Sequence, residues 1–142
     1  IALYALGAAQ QSLDETATYL TDREAMGNPL ASYQGPQFEH AEWQTRVEAA
    51  RLKAYQTLWK ADAGEPHTKD AAMTKWYAPE VAVDTVRACL VLHGHYGYSD
   101  DFGIGKRLQD VLGQQIADGA PHVQKLIVAR ETFGREYLSY DR

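Results

Sequence analysis

Apolar side chains recur every three or four residues along almost the whole chain, and no stretch alternates with a period of two for long. That periodicity predicts helices on every long segment and supplies no strands from which to build a sheet. In the first segment Leu6, Gln10, Leu13, Ala17 and Leu20 fall on one stripe, which Gly27, Asn28 and Pro29 bring to an end. Gly35 and Pro36 precede a second helix, expected from Gln37 to Ala63. One of its stripes is Trp43, Val47, Ala50, Ala54, Leu58 and Ala61, and a second is Leu52, Tyr55 and Trp59, so it is expected to be buried on more than one side. After the turn Gly64-Glu65-Pro66, a third helix is expected from Lys69 to His93, with Ala72, Trp76, Pro79, Val83, Val86, Leu90 and His93 on its seam. Pro79 should deprive the Lys75 carbonyl of its helical partner and kink the helix there. A glycine-rich loop, Gly94 to Gly105, leads to two shorter helices, Lys106 to Ala117 and Pro121 to Tyr137. Short turns force antiparallel neighbours. The expected fold is therefore all-α: an up-and-down four-helix-type bundle with an extra short helix, one domain over residues 1–142.

With 142 residues the chain is long enough to bury a real core in a single domain. Its 14 basic and 19 acidic side chains leave a net charge of −5, which argues against a nucleic acid or an anionic membrane surface as partner. No apolar run approaches the roughly 20 residues that span a bilayer. The single cysteine, Cys89, excludes an internal disulfide framework and a four-thiolate zinc site. With Arg87 as its one basic neighbour in a helix, Cys89 reads as a small buried side chain and not as a nucleophile. The expected compartment is the cytoplasm, or the mitochondrial matrix in a eukaryote. The chain opens on Ile1 inside a helical pattern, which suggests a domain of a longer polypeptide.

A helical bundle can hold a metal pair through Glu-x-x-His on two helices, and that motif does not occur here. His93 and His95 flank Gly94 without further ligands nearby. They read as polar groups at a helix end, where an imidazole suits the last carbonyls, and no metal is expected. Gly94-His95-Tyr96-Gly97-Tyr98 resembles no phosphate loop; its glycines permit positive φ or close approach of the backbone to another helix. Trp43, Trp59 and Trp76 read as core and interface anchors. Asp118, in the turn between the last two helices, has two readings. It can cap the following helix by accepting a backbone N–H, or it can be a carboxylate at a bundle end that accepts a proton once desolvation raises its pKa.

Several segments are distinctive in order and spacing: Ala5-Leu6-Gly7-Ala8-Ala9-Gln10, Gln34 to Phe38, Glu48-Ala49-Ala50-Arg51-Leu52, Leu92-His93-Gly94-His95-Tyr96-Gly97-Tyr98 and Ile127-Val128-Ala129-Arg130-Glu131. Arg23-Glu24-Ala25-Met26-Gly27-Asn28-Pro29 is similar to an Arg-x-x-Phe-Gly-x-Pro motif. Together, over essentially the whole chain, they resemble the C-terminal helical domain of the acyl-CoA dehydrogenase family of flavoproteins. The resemblance implies an N-terminal helical domain and a middle β domain outside this chain. It also implies FAD bound between the middle and C-terminal domains and across a subunit interface, in a homotetramer or heterotetramer. The implied substrate is an acyl-CoA, and an electron-transfer acceptor protein would reoxidise the flavin.

By the same resemblance Arg23 would lie on the flavin pyrophosphate of a neighbouring subunit, with Gln34 nearby and Met26 where a Phe is usual. An arginine suits pyrophosphate because its planar fork pairs with two oxygens. Asp118 falls where many members carry the catalytic glutamate of a Tyr-Glu-Gly-Thr motif, here Ala117-Asp118-Gly119-Ala120. There the carboxylate removes the α-proton of the thioester while the β-hydride goes to flavin N5. Aspartate is one methylene shorter, a loss of reach of roughly 1.5 Å. The Asp-for-Glu exchange resembles relatives that act on alicyclic acyl groups, and Ala117 in place of Tyr leaves room beside Gly119. A bulky or alicyclic acyl group is therefore expected. Gly94 and Gly97 would be backbone positions near flavin or substrate. Val91 replaces a common Gln, His95 replaces a Gly, and Ala120 lacks the threonine hydroxyl that usually contacts the flavin. These departures motivate a second expectation, a non-catalytic structural subunit or degenerate paralogue that pairs with an active dehydrogenase. A free bundle that binds protein partners explains none of the ordered motifs. This chain alone is expected to be inactive.

Overall fold

The computed structural model describes residues 1–138. Helix α1 spans Ala2–Asp22, and a hairpin of two short strands, β1 (Glu24–Ala25) and β2 (Asn28–Pro29), follows it with Glu24 opposite Pro29 and Ala25 opposite Asn28. A 3-10 turn at Leu30–Ser32 leads into α2, Gln34–Asp62. Helix α3 is Thr68–Leu92, α4 is the single turn His95–Tyr98, and a second 3-10 turn covers Asp100–Phe102. The chain closes with α5, Ile104–Ile116, α6, Pro121–Phe133, and a last 3-10 turn, Arg135–Tyr137.

Helix α3 is the centre of the bundle and packs against α1, α2, α5 and α6. Its composition explains why. Ala72, Ala78, Ala82, Ala88, Val81, Val86 and Cys89 are all buried, and small side chains on several faces let four neighbours approach one axis. Leu6 and Leu13 of α1, Val47 of α2, and Ile104 and Val111 of α5 complete the core around it. Buried hydroxyls are satisfied within their own helices: Thr85 donates to the Val81 carbonyl at 2.7 Å and Thr16 to that of Ser12 at 2.6 Å. Between α2 and α3, the hydroxyls of Thr57 and Thr74 meet at 2.8 Å.

The all-helical bundle matches the expected class, with four local differences. Helix α2 starts at Gln34, so Gly35 and Pro36 form its first turn instead of preceding it. A proline is tolerated there because a first-turn N–H has no helical acceptor. The residues after Gly94 are not all loop, since α4 and a 3-10 turn lie within them. The last helix ends at Phe133, where Gly134 adopts a φ of +99°, and Tyr137 belongs to the following 3-10 turn. Helix α5 begins at Ile104, ahead of the expected Lys106. Pro79, by contrast, lies buried inside α3, where the sequence placed it.

Among the described residues nothing covers the second apolar stripe of α2. Leu52, Tyr55 and Trp59 are 61%, 53% and 59% exposed, on a face turned away from α1 and α3. Trp59 is therefore no core anchor. Trp43 and Trp76 are half-buried, with the Arg46 guanidinium 4.8 Å and the Lys125 ammonium 4.4 Å from their ring centres.

Candidate active site

The expected site residues fall into two groups at opposite ends of α3. His93, just past its C-terminal end, and Lys75, in its second turn, are separated by 18 positions, or roughly 27 Å at a helical rise of about 1.5 Å per residue. Arg23, Tyr96 and the His93–Gly97 segment gather at the C-terminal end of α3, and the Asp118 turn is tied to Lys75 near the N-terminal end.

At the first end, Arg23 is the C-cap of α1, and its guanidinium carbon lies 5.8 Å from the centre of the Tyr96 ring. Tyr19 stacks on His93 with ring centres 4.3 Å apart and donates its hydroxyl to the His93 carbonyl at 3.2 Å. His93 is buried, and its Nδ1 donates to the Cys89 carbonyl at 2.8 Å, so it serves a helix-end carbonyl as its sequence position suggested. His95 is exposed at the start of α4. The two glycines of this segment differ in role. Gly94 takes a φ of +58°, while Gly97 is buried against the last turn of α3. Val91 is 62% exposed beside Glu39, Trp43, Asp84 and Arg87.

The hairpin projects from the same end. Met26 and Gly27 at its tip have φ of +53° and +82°, the two positive values that a tight hairpin turn requires. Met26 is 96% exposed. The backbone N–H of Leu30 bonds the Arg23 carbonyl at 2.8 Å, and the Tyr33 hydroxyl donates to the Ala25 carbonyl at 2.7 Å. Because Tyr33 is the N-cap of α2, these bonds join Arg23, the hairpin and the first turn of α2, where Gln34 is exposed. A guanidinium, an amide and a helix N-terminus form a donor set of the right chemistry for a phosphate-bearing anion.

At the second end, Ala117 closes α5 and Ala120 is the N-cap of α6, with Pro121 in the first turn. Ala117 and Asp118 are exposed, and Gly119 and Ala120 half-buried. Among the described residues α6 has Ala120 as its N-cap and no side-chain cap bond, so the capping reading of Asp118 does not hold. Asp118 and Gly119 carry φ of +53° and +104°, a sharp turn that carries the aspartate at the end of the bundle. Beneath it, Lys75 donates to the carbonyls of Gln114 and Gly119, each at 3.2 Å. Burial lowers the Lys75 pKa below its usual value, and the charge of Asp118 opposes that shift. Lys75 escaped the sequence reading because nothing in a helical pattern tells which lysine folds back onto a turn.

Cys89 is buried and its thiol is pushed up to about 11, chiefly by burial, which suits packing and not nucleophilic attack. Among the described residues no three or more His, Cys, Asp or Glu side chains are placed to hold a metal ion. Among them, too, no helix is long and apolar enough to cross a membrane.

Residues 1–133 match the family described as acyl-CoA dehydrogenase, C-terminal domain. The 3-(aryl)acrylate reductase of Clostridium sporogenes is 37% identical over 129 residues, which cover 91% of this chain and 34% of that protein. In the solved structure of butyryl-CoA dehydrogenase from Megasphaera elsdenii, a chain 31% identical superimposes with a TM-score of 0.90, covering 92% of this chain and 34% of that one. A structure described as an electron transferring flavoprotein of Acidaminococcus fermentans gives 30% identity and a TM-score of 0.90, covering 93% of this chain and 35% of that one. The chain thus spans about a third of the length of the proteins it matches.

Proposed function

The chain belongs to the acyl-CoA dehydrogenase family as a C-terminal domain, and from that membership we propose that it supplies the base and part of the flavin-binding surface of an FAD-dependent acyl-CoA dehydrogenase. The observation that carries this reading is Asp118. It is held at positive φ on a sharp turn at one end of the bundle and is not spent on capping α6, and the motif resemblance would make it the counterpart of the family's glutamate. The rest of the enzyme would be an N-terminal helical domain, a middle β domain and further subunits of a tetramer.

In the proposed reaction the Asp118 carboxylate takes the α-proton of the acyl thioester. The α C–H bond breaks, its electron pair forms the α,β double bond, and the β-hydrogen leaves as hydride. Bound FAD supplies the hydride acceptor. The acyl chain would exclude water from around the carboxylate and so favour proton transfer to it. The same residue, protonated, is the acid of the reverse reaction, in keeping with the relative named as a reductase. Ala117 and Gly119 flank the carboxylate with little bulk, which favours a bulky or alicyclic acyl group. At the other end Arg23, with Gln34 and the first turn of α2, would hold the pyrophosphate of a flavin shared with a neighbouring subunit, and Met26 would lie beside it. Gly94, His95, Val91 and Ala120 would be the remaining flavin-side positions. The roughly 27 Å between the two groups supports their serving different flavins across a subunit interface. An electron-transfer flavoprotein as acceptor and a cytoplasmic setting complete the proposal.

A second reading rests on Val91, His95 and Ala120, which lack the hydrogen-bonding groups or the small size usual at those places. It makes the protein a structural subunit paired with an active dehydrogenase. The deciding experiment uses the full-length protein that contains this chain. Native mass spectrometry should give a tetramer with one FAD per subunit, and anaerobic mixing with an acyl-CoA should bleach the flavin, an effect lost in Asp118→Asn. FAD only in the presence of a second, different chain would favour the structural subunit. Near-normal bleaching in Asp118→Asn would remove Asp118 as the base.

A further inference from the structure

The turn that carries Asp118 is an unfavourable piece of backbone. Two consecutive residues have positive φ, and the first is not glycine. Left-handed backbone is unfavourable for an L-residue, and such conformations persist where their surroundings hold them. The holding group is not an N-cap on α6. It comes from α3, whose Lys75 places its ammonium 3.2 Å from the Gln114 carbonyl and 3.2 Å from the Gly119 carbonyl. These two acceptors bracket Asp118. Gln114 lies in the last turn of α5, where carbonyls have no helical partner, and Gly119 is in the turn itself. Lys75 is half-buried, and among the described residues it takes part in no ion pair within 4.0 Å, so its positive charge faces the two carbonyls.

We propose that Lys75 is a positioning residue for Asp118: its ammonium clasps the carbonyls on either side of the aspartate and fixes the backbone from which the carboxylate reaches the substrate. The proposal rests on the reading of Asp118 as base. Lys75 touches no reacting atom; it acts through the turn. The Asp118 charge, which counteracts the effect of burial on the Lys75 pKa, agrees with an ammonium and a carboxylate close enough to sense one another.

The test uses the full-length protein that contains this chain. Lys75→Met keeps the stem and removes the donors, and Lys75→Arg keeps a charged fork able to span two carbonyls. Displacing a catalytic group by about 1 Å is worth up to about 100-fold in rate, so Lys75→Met should lower kcat about 10- to 100-fold with KM within about threefold. Lys75→Arg should recover most of that loss. In a measurement independent of turnover, amide hydrogen exchange over residues 114–124 should quicken in Lys75→Met and return toward the parent rate in Lys75→Arg. If Lys75→Met does not fold, Lys75→Leu, likewise without a donor, gives the same comparison. Quicker exchange with unchanged kcat would overturn the positioning role and leave a helix-end tie. Unchanged exchange would overturn the clasp itself. Near-normal turnover in Asp118→Asn would overturn the base reading instead, and the exchange comparison keeps that failure distinct from a failure of the clasp.

Discussion

Gly97 sits so close to Leu90 that a β-carbon on it would lie 2.3 Å from the Leu90 carbonyl oxygen and 2.9 Å from the β-carbon of His93. The short helix α4 thereby folds back onto the last turn of α3 and keeps Tyr96 within reach of Tyr19 and Arg23. The obstacle is backbone, which cannot swing aside as a long side chain can. Gly97→Ala should therefore cost about 2 kcal/mol or more, read as a lower urea midpoint of the full-length protein. Gly113→Ala, inside α5 with open space around it, should instead stabilise by about 0.5–1 kcal/mol through helix propensity. Equal effects at the two glycines would mean that α4 does not pack as described.

Met26 presents a different backbone problem. It is almost fully exposed yet adopts a φ of +53° at the tip of the hairpin. Asparagine populates that region far more readily, and Asn-Gly is the favoured pair for such a turn. Met26→Asn should raise the stability of the flavin-free protein by about 0.5–1 kcal/mol, since no packing is lost. If Met26 touches the flavin of a neighbouring subunit, the same substitution should weaken FAD binding in a fluorescence titration. A stability gain with unchanged FAD affinity would leave Met26 without a role at the cofactor.

The residues least legible in the sequence are those whose role depends on partners far away along the chain. Stripes such as Leu6–Leu13 and Val47–Ala50–Ala54 announced their burial because helical spacing alone puts them on one face. The same logic failed for Leu52, Tyr55 and Trp59, because a stripe states which face is apolar but not whether this chain covers it. Gly27, Asn28 and Pro29 are legible as a helix stop, whereas the strand pairing around Met26 and Gly27 depends on backbone dihedrals that single residue types do not dictate. Asp118 stands out through its place in a motif, whereas its position in a turn left open the capping role, which the structure does not show. Lys75 carried no signal of its own, since its two acceptors are backbone carbonyls about 40 residues away.

Glu15 and Arg107 join α1 to α5 through two parallel bonds of 2.8 and 2.9 Å, and Arg107 also donates to the Ser12 hydroxyl at 3.0 Å. The Arg107 bonds hold the Glu15 carboxyl below its usual value of 4.5, outweighing the opposite effect of burial. A carboxylate depressed in this way adds stability above its unfolded pKa and loses it as pH falls through the lower folded value. Because Glu15 is partly exposed, the contribution is screened, and Glu15→Gln should cost about 1 kcal/mol at pH 7. Urea denaturation over a pH series should show that cost shrinking below pH 4.5. A cost that stays constant down to strongly acid pH would assign it to packing and not to the ion pair.

At the proposed base, Asp118→Glu separates the length of the side chain from its charge. The longer side chain advances the carboxylate by roughly 1.5 Å, toward the reach of the family's glutamate. It must do so from a backbone at a φ of +53°, which aspartate tolerates better than glutamate. If the Lys75 clasp and the turn are set for aspartate, the added methylene carries the carboxylate past the α-carbon. Anaerobic single-turnover bleaching of the full-length protein should then slow by about 10- to 100-fold, with little change in acyl-CoA affinity. Faster bleaching would mean that the native aspartate falls short of its substrate and that the turn does not compensate for the missing methylene. In that case the small Ala117 and Gly119 would have to be explained by something other than a large acyl group pressed close to a short base.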